Sequence, residues 1–186
     1  MSGIGFKVAF VEKGSGFSKL AQRMPQAIAY GLNNGGRRVF TIVRKGLRAK
    51  TGAKKYATIT SRTFNMPAQA GALTFTIVAR GKPIPIKDFP VKRVAGGVQA
   101  SPWASARVFA RSFQERAHGG AYIPNAFRAR VGEGREPVRK LYGPNLAKEL
   151  LGLTRNDRAI PDLFLRSAAI EVPPRILAAL GKVLGQ

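Results

Sequence analysis

The stretch FSKLAQRMPQAIAYGLNNGGRRVFTIVRKGLRAK, residues 17–50, decides the fold class of this chain. Apolar side chains recur in it at intervals of three, four or seven residues, which places them on one side of an α-helix. They are Leu20, Met24, Ile28, Leu32, Val39, Val43 and Leu47. The spacing predicts one long amphipathic helix, which begins or bends at Pro25 because proline lacks a backbone donor. The pair Gly35 and Gly36 is unfavourable inside a helix, so we expect a neighbour packed closely against it.

The polar side of this helix is strongly basic. No acidic residue occurs between Lys13 and Lys87, and like charges one turn apart on a helix repel each other. We therefore expect the basic side chains to contact a polyanion, either DNA or an acidic protein. A solvated charged face is the plain alternative. The side chains predicted to make the contact are Arg37, Arg38, Arg44, Lys45, Arg48, Lys50, Lys54 and Lys55.

The whole chain shares this excess of positive charge. Its 186 residues include 32 Lys and Arg against 9 Asp and Glu, which gives a formal net charge of +23. Such a balance favours a polyanionic or acidic partner over an ordinary metabolic substrate. Hydrophobic residues make up 45% of the chain, enough for one sizeable core or two small ones. The absence of cysteine excludes disulfides and thiolate metal sites.

Motifs for catalysis and for cofactor binding are missing from the sequence. There is neither a complete dinucleotide-binding glycine pattern nor a GxxxxGK[ST] phosphate loop. His118 is the single imidazole, and no pair of acids has a spacing that commits it to acid–base catalysis. No apolar run approaches the roughly 18 residues of a membrane span, and the N-terminus lacks a signal-peptide pattern. We therefore expect a protein that is not an enzyme and has no cofactor, no metal and no membrane partner.

The segments that flank the long helix predict short strands and helices. A strand or ordered arm is expected within residues 1–16, a second helix at 53–64, and the clearest strand at 72–80. Further strands are predicted at residues 91–94, from Val98, at 107–113 and at 126–131, with a tight turn at Gly96 and Gly97. Short helices are predicted at residues 145–151 and 174–184.

Strands grouped between helices indicate the α+β class. The expected architecture is a long N-terminal helix packed on a small antiparallel sheet, with Pro-rich extended arms and short C-terminal helices. A single domain is predicted over residues 1–150, followed by a C-terminal extension with a short helix over 151–186. The aromatic side chains that could interleave with the basic residues are predicted to belong to the core. They are Phe109, Phe113, Tyr122 and Phe127.

Prolines mark segments that we expect to be extended. Residues 84–89 follow the first of three closely spaced prolines, so this segment can serve as an edge strand or as a partner-binding arm. Pro124 has the same effect ahead of Phe127. The residues predicted to make inter-subunit contacts are Pro83, Pro85, Phe89, Pro124 and Phe127.

Three blocks of sequence, in this order, resemble the minor tail protein Z family of tailed bacteriophages, the tail completion proteins. They are GKPIPIKDF at 81–89, YIPNAF at 122–127 and REPVRKLYGPNLAKEL at 135–150. The upstream helix is similar too, with a central Leu32-Asn33 and a basic run that ends in RAKTG, so the resemblance spans about residues 18–150. In the third block the motif residues are Arg135, Pro137, Leu141, Tyr142, Gly143 and Pro144.

Two regions depart from the family pattern. Residues 101–120 are longer than expected between the predicted hairpin and the second block, and the segment after Gly152 is interrupted by Pro161, Pro173 and Pro174. Relatives tend to continue there as a charged helix. The resemblance therefore carries no prediction about the contacts of these regions.

The resemblance implies a structural virion protein at the head-proximal end of the tail, the neck, that is assembled in the cytoplasm of a host bacterium. The implied partners are copies of the chain in a ring, a tail terminator or tail tube protein, and a head connector or adaptor protein. Genome double-stranded DNA in the lumen is a further candidate partner. The alternative, based on charge alone, is a sequence-independent basic nucleic-acid-binding protein.

Overall fold

The computed structural model describes residues 2–7, 18–134, 136–154 and 157–184. It confirms the α+β class, with a long N-terminal helix, three small antiparallel sheets and C-terminal helices. The chain divides into two compact units. The first comprises residues 1–46, 63–80 and 147–186, and the second comprises residues 47–62 and 81–146. This division differs from the predicted single domain over 1–150, because residues 147–186 group with the long helix.

The first unit combines one sheet with the helices. The sheet has the order β1-β3-β2 and is antiparallel throughout. Of these strands, β2 was not predicted from the sequence. The elements are β1 (Ser2–Lys7), α1 (Ser18–Thr51, which continues into the second unit), β2 (Thr63–Met66), β3 (Thr74–Ala79), α3 (Leu146–Leu150, whose first residue belongs to the second unit) and α4 (Ala159–Leu184).

The long helix α1 has the apolar face that its sequence predicts. Ile28, Leu32, Val39 and Val43 are 0–1% exposed. The helix begins at Ser18 and continues through Pro25, so the predicted start at this proline is wrong, and the alternative of a bend there stays a prediction. A proline removes only one hydrogen bond of the ladder, and the buried face that follows it outweighs that loss. The side chain of Leu20 lies outside the described residues.

Two glycines of α1 lie directly against the backbone of α4. A Cβ atom added at Gly31 would lie 2.6 Å from the Cα of Ile176, and one added at Gly35 would lie 2.9 Å from the Cα of Val172. Real Cβ atoms essentially never show contacts this short, so these positions accept only glycine while the helices stay where they are. The close neighbour predicted for this part of the helix is confirmed.

The sheet packs on the same stretch of α1. A Cβ atom at Gly36 would lie 2.6 Å from the ring of Phe75, which belongs to β3 and is fully buried. Its neighbours on the strand, Ile77, Val78 and Ala79, are buried as well. The clearest strand of the sequence is therefore the central strand of the sheet that covers the helix.

The last helix is longer than the sequence predicts. It runs from Ala159 to Leu184 and passes Pro161, Pro173 and Pro174. Pro161 lies in the first turn, where no backbone donor is needed. The other two prolines follow Val172, which is buried against α1, so tertiary packing outweighs the lost bonds. Among the described residues, no helix is long and apolar enough to cross a membrane.

The second unit contains two three-stranded antiparallel sheets, with the orders β4-β5-β6 and β7-β8-β9. A short helix α2 (Tyr56–Thr60) and two 3-10 turns, Ile86–Asp88 and Pro102–Ala104, complete it. The strands are β4 (Val91–Val94), β5 (Gly97–Ala100), β6 (Arg107–Ala110), β7 (Ser112–Arg116), β8 (Tyr122–Arg130) and β9 (Val138–Lys140).

The hairpin between β4 and β5 forms as predicted, and Gly96 in its turn has a φ of +83°, which suits glycine. The single strand predicted at 107–113 is instead two strands. Arg111 adopts a φ of +56° and turns the chain from β6 into β7. Because of this corner the two sheets of the second unit meet along β5 and β7.

Candidate anion-binding groove and basic surfaces

The basic side chains of α1 that lie in the first unit fall into two kinds. Arg37, Arg38 and Lys45 are exposed, and their predicted contact with a polyanion stays a prediction. Arg44 is half-buried, and its guanidinium lies 3.7 Å from the centre of the Phe40 ring. It also donates from Nε to the hydroxyl of Thr63 at 2.9 Å and from Nη2 to the carbonyl of Thr63 at 2.6 Å. Arg44 therefore ties α1 to β2, and much of its hydrogen-bonding capacity is used inside the fold.

The remaining residues of the predicted basic set lie in the second unit. Arg48, Lys54 and Lys55 are exposed, and Lys50 is half-buried. Arg48 donates from Nη2 to the carbonyl of Lys54 at 3.3 Å, while the backbone N–H of Lys54 donates to the carbonyl of Asp88 at 2.8 Å. The chain that leaves α1 is thus held beside the 3-10 turn that contains Asp88. The predicted contact of these cations with a polyanion also stays a prediction.

The three blocks that carry the family resemblance meet in the second unit. The N–H of Ile84, in the first block, donates to the carbonyl of Pro144 at 2.9 Å, and the N–H of Gly143 donates back to the carbonyl of Ile84 at 2.8 Å. The N–H of Ile86 donates to the carbonyl of Leu141 at 3.0 Å. The second block lies on β8, which pairs with β9 of the third block. The first block, residues 81–89, therefore forms backbone hydrogen bonds with residues 141–144 of the same chain.

A cavity of about 380 Å³ is lined by all three blocks. Its wall also holds an ion pair between Glu115 on β7 and Arg128 on β8. Tyr142, at its rim, is one of the exposed aromatic residues of the chain. The lining residues are Pro85, Ile86, Lys87, Glu115, Asn125, Ala126, Phe127, Arg128, Lys140, Leu141 and Tyr142.

The structure corrects one of the predicted inter-subunit contacts. Phe89 is only 1% exposed, because its ring packs where a side chain of residue 143 would otherwise stand. A Cβ atom at Gly143 would lie 2.6 Å from Cε2 of that ring. Phe89 is therefore a core residue of the second unit, and its ring is not available to a neighbouring subunit.

The other predicted contact and motif residues are distributed between surface and core. Pro83, Pro124, Pro137 and Tyr142 are exposed, Pro85, Phe127 and Gly143 are half-buried, and Leu141 and Pro144 are buried. Arg135 lies outside the described residues. The predicted subunit contacts of Pro83, Pro85, Pro124 and Phe127 stay a prediction.

A cluster that the sequence did not reveal lies around Tyr122, at the start of β8. The guanidinium of Arg93, on β4, lies 3.9 Å from the centre of the Tyr122 ring, and that of Arg116, on β7, lies 4.6 Å from it. Arg116 also donates from Nη2 to the Tyr122 hydroxyl at 2.7 Å. Tyr122 is 39% exposed, so its prediction as a core residue is wrong.

This cluster borders an open groove of about 840 Å³, the arginine groove, between the β4–β5 turn and the β7–β8 hairpin. A third arginine, Arg130, lies 5.4 Å from the centre of the Phe113 ring and completes the lining. Among the described residues that line the groove there is no carboxylate. The lining residues are Arg93, Val94, Ala95, Gly97, Val98, Ser112, Phe113, Gln114, Arg116, Tyr122 and Arg130.

The floor of the arginine groove is held by a buried hydroxyl. The N–H of Val98, on β5, donates to Oγ of Ser112 at 2.8 Å, and this hydroxyl donates to the carbonyl of Phe109 at 2.5 Å. The N–H of Arg111 donates to the carbonyl of Gly96 at 3.2 Å. Hydrogen bonds within the second unit therefore join the two walls of the groove. The arginines are carried by strands that these bonds hold together.

The positive charge of the groove affects the acidity of its tyrosine. The hydrogen bond from Arg116, with the added attraction of the Arg116 and Arg93 charges, lowers the pKa of the Tyr122 phenol below its usual value of 10.0. The phenolate is the form that these cations favour. The same field would attract any oxyanion that enters the groove.

Comparison with known proteins adds no relative. No family model matches the chain, and neither a curated protein nor a solved structure resembles it at a significant level.

Proposed function

We propose that this chain is a structural virion protein of a tailed bacteriophage, a tail completion protein at the head-proximal end of the tail. The proposal starts from the resemblance of three sequence blocks to the minor tail protein Z family. The observation that supports it most is that these blocks, which are separated in the sequence, line one cavity of the second unit.

The convergence matters because each block by itself is an ordinary proline-containing segment. In the structure the blocks depend on one another: Ile84 bonds to Gly143 and Pro144, and the missing side chain of Gly143 leaves the space that Phe89 fills. Residues with such mutual requirements are expected to occur together. The three blocks therefore form one structural module. In a protein without an active site, we expect the residues shared by a family to be such mutually dependent packing residues.

The helical part of the resemblance is architectural in the same way. Leu32 is fully buried, and Asn33 forms two hydrogen bonds with the backbone of Ala68, donating from its amide at 2.9 Å and accepting at its carbonyl oxygen at 2.8 Å. The central Leu-Asn of the helix thus anchors the segment that follows β2. Both residues of the resemblance therefore stabilise the fold of the first unit.

The positive charge fits the proposed location. In a closed ring the net charge of +23 is repeated in every copy, so the ring can hold acidic neighbours or the phosphates of a DNA end. The expected neighbours are a tail terminator or tail tube protein and a head connector or adaptor protein.

Deletion of the gene tests the proposal. In cells that assemble the phage without this chain, electron microscopy should show complete tails and DNA-filled heads that are not joined, and infectivity should return when the chain is supplied. Normal joined particles would refute the proposal. Empty heads with normal tails would also refute it, since they would place the chain in genome packaging.

The alternative is a sequence-independent nucleic-acid-binding protein that acts away from particles. The arginine groove favours it, because the groove carries three arginines without a described carboxylate. Mass spectrometry of purified particles separates the two functions, since only a virion protein copurifies in a constant ratio to the tail tube protein.

A further inference from the structure

We propose that the arginine groove of the second unit binds phosphate groups of a nucleic-acid backbone through Arg93, Arg116 and Arg130. These three arginines belong to none of the predicted basic or contact residues, and their binding of phosphate does not depend on the proposed function. A nucleic acid bound in this groove is compatible with a subunit of a neck ring and equally with a free binding protein.

The first support is that Tyr122 holds two of the guanidinium groups in place. Arg93 and Arg116 lie 3.9 Å and 4.6 Å from the ring centre, and Arg116 in addition donates to the hydroxyl at 2.7 Å. An arginine that stacks on an aromatic ring uses its face for the contact and keeps N–H donors for an oxyanion. These side chains are therefore ordered before a ligand arrives, which lowers the entropic cost of binding.

The second support is the absence of compensating charge. None of the three arginines forms an ion pair with a described residue, and Glu115, the acid beside Arg116 in the sequence, is paired with Arg128 in the other cavity. Cations collected without a partner repel one another, and an oxyanion relieves that repulsion. Guanidinium groups bind phosphate oxygens with two parallel hydrogen bonds, which makes phosphate a well-matched ligand.

The third support is that the groove suits contact with the backbone of a nucleic acid better than contact with its bases. The hydroxyl of Ser112 is bonded to Val98 and Phe109, and the amide of Gln114 donates to the carbonyl of Ile123 at 2.9 Å. The uncharged polar side chains of the groove are thus engaged within the fold. With the Tyr122 ring already in contact with two arginines, it is a poor platform for base stacking. Binding should therefore be independent of sequence.

Phosphate is favoured over an acidic protein by the character of the surface. Protein interfaces have a core that is depleted in charge and enriched in apolar side chains. The exposed surface of this groove is instead mostly polar, and its charges have one sign. Two further exposed cations extend the positive field, as a continuous polyanion would require; they are Arg107 on β6 and Arg111 in the turn between β6 and β7.

The experiment compares two triple variants of the full chain that have the same net charge. In the groove variant Arg93, Arg116 and Arg130 are changed to Gln. In the control variant three exposed cations outside the groove are changed to Gln: Arg139, Arg166 and Lys182. The affinity for fluorescent duplexes of two unrelated sequences and equal length is measured by anisotropy at several NaCl concentrations, and circular dichroism confirms that each variant is folded.

The groove variant should bind both duplexes roughly tenfold or more weakly, and the slope of log affinity against log salt should fall by about 0.9 for each phosphate that the variant no longer neutralises. The control variant should keep the native slope. If the groove variant does not fold, the single variants Arg93→Gln and Arg130→Gln replace it, with a proportionally smaller change expected.

Three outcomes would overturn the inference. Equal losses of affinity in the groove and control variants would show that only net charge matters. Competition by poly-L-glutamate at the same charge concentration as duplex would indicate an acidic protein as the occupant. Competition by inorganic phosphate at concentrations near those of the duplex phosphates would indicate a small free anion.

Discussion

The contact between α1 and α4 makes a specific prediction about Gly31. Glycine inside a helix is normally unfavourable, so replacement by alanine at an open site stabilises a protein by about 1 kcal/mol. At Gly31 the added Cβ atom would lie 2.6 Å from the Cα of Ile176 and 2.8 Å from the carbonyl oxygen of Arg175. Both atoms belong to the backbone of α4, so no side-chain rotation can relieve the contact.

The size of the effect follows from the distance. Ordinary contacts between carbon atoms are about 3.5–4.0 Å, so the two helices would have to separate by roughly 1 Å. Overpacking of this kind costs about 1–3 kcal/mol, and the gain in helix propensity offsets about 1 kcal/mol of it. We expect Gly31→Ala to destabilise the chain by up to about 2 kcal/mol, which lowers the Tm by up to roughly 8 °C at this size.

Gly181 provides the matched control, because it also lies inside a helix, α4, but has open space where a Cβ atom would stand. Gly181→Ala should raise the free energy of unfolding by up to about 1 kcal/mol. Urea unfolding of both variants, followed by circular dichroism, measures the two effects. Stabilisation by Gly31→Ala equal to that by Gly181→Ala would refute the close contact of the helices.

The remaining predictions concern individual side chains. Arg44→Lys should lower the free energy of unfolding by about 1–2 kcal/mol, because lysine cannot replace the forked contacts to β2, whereas Arg37→Lys should leave it unchanged; chemical denaturation compares them. Tyr122 should ionise below pH 10.0 in an ultraviolet titration corrected with Tyr122→Phe, and Arg116→Gln should move its pKa upward because the stabilising hydrogen bond is removed. Ser112→Ala should cost about 1–3 kcal/mol by leaving a buried backbone N–H without an acceptor, and thermal unfolding measures the change.

The long helix could be predicted because its signal is local. Apolar side chains from Ile28 to Val43 recur with the helical period over several turns, and the same side chains are buried in the structure. The Gly35-Gly36 pair predicted a close neighbour, although the identity of that neighbour was beyond the sequence. The continuity of α4 across Pro173 and Pro174 could not be predicted, since it depends on packing against α1, which is far away in the sequence.

Contacts between distant parts of the chain also determine the candidate site, and the sequence did not predict them. Phe89 follows closely spaced prolines, a pattern typical of exposed segments, but it is buried because residues 141–144 return to cover its segment. The arginine groove depends on the register that places Arg116 opposite Tyr122 across the β7–β8 hairpin, with Gly119 and Gly120 in the left-handed region of its turn. The predicted strand began only at residue 126, so this pairing stayed hidden. The sequence did contain one signal for this pairing, because Arg116 and Tyr122 lie on either side of the Gly119-Gly120 turn.

Direct imaging of the head–tail junction tests the central claim of a structural role in the neck. A cryo-electron microscopy reconstruction of particles from the phage that encodes this chain should show copies of its fold in a closed ring between the head connector and the tail tube. The convergence of the three resemblance blocks in one unit, and the net charge of +23 on each copy, both fit such a ring. Absence of the chain from that junction in otherwise complete, infectious particles would contradict the account.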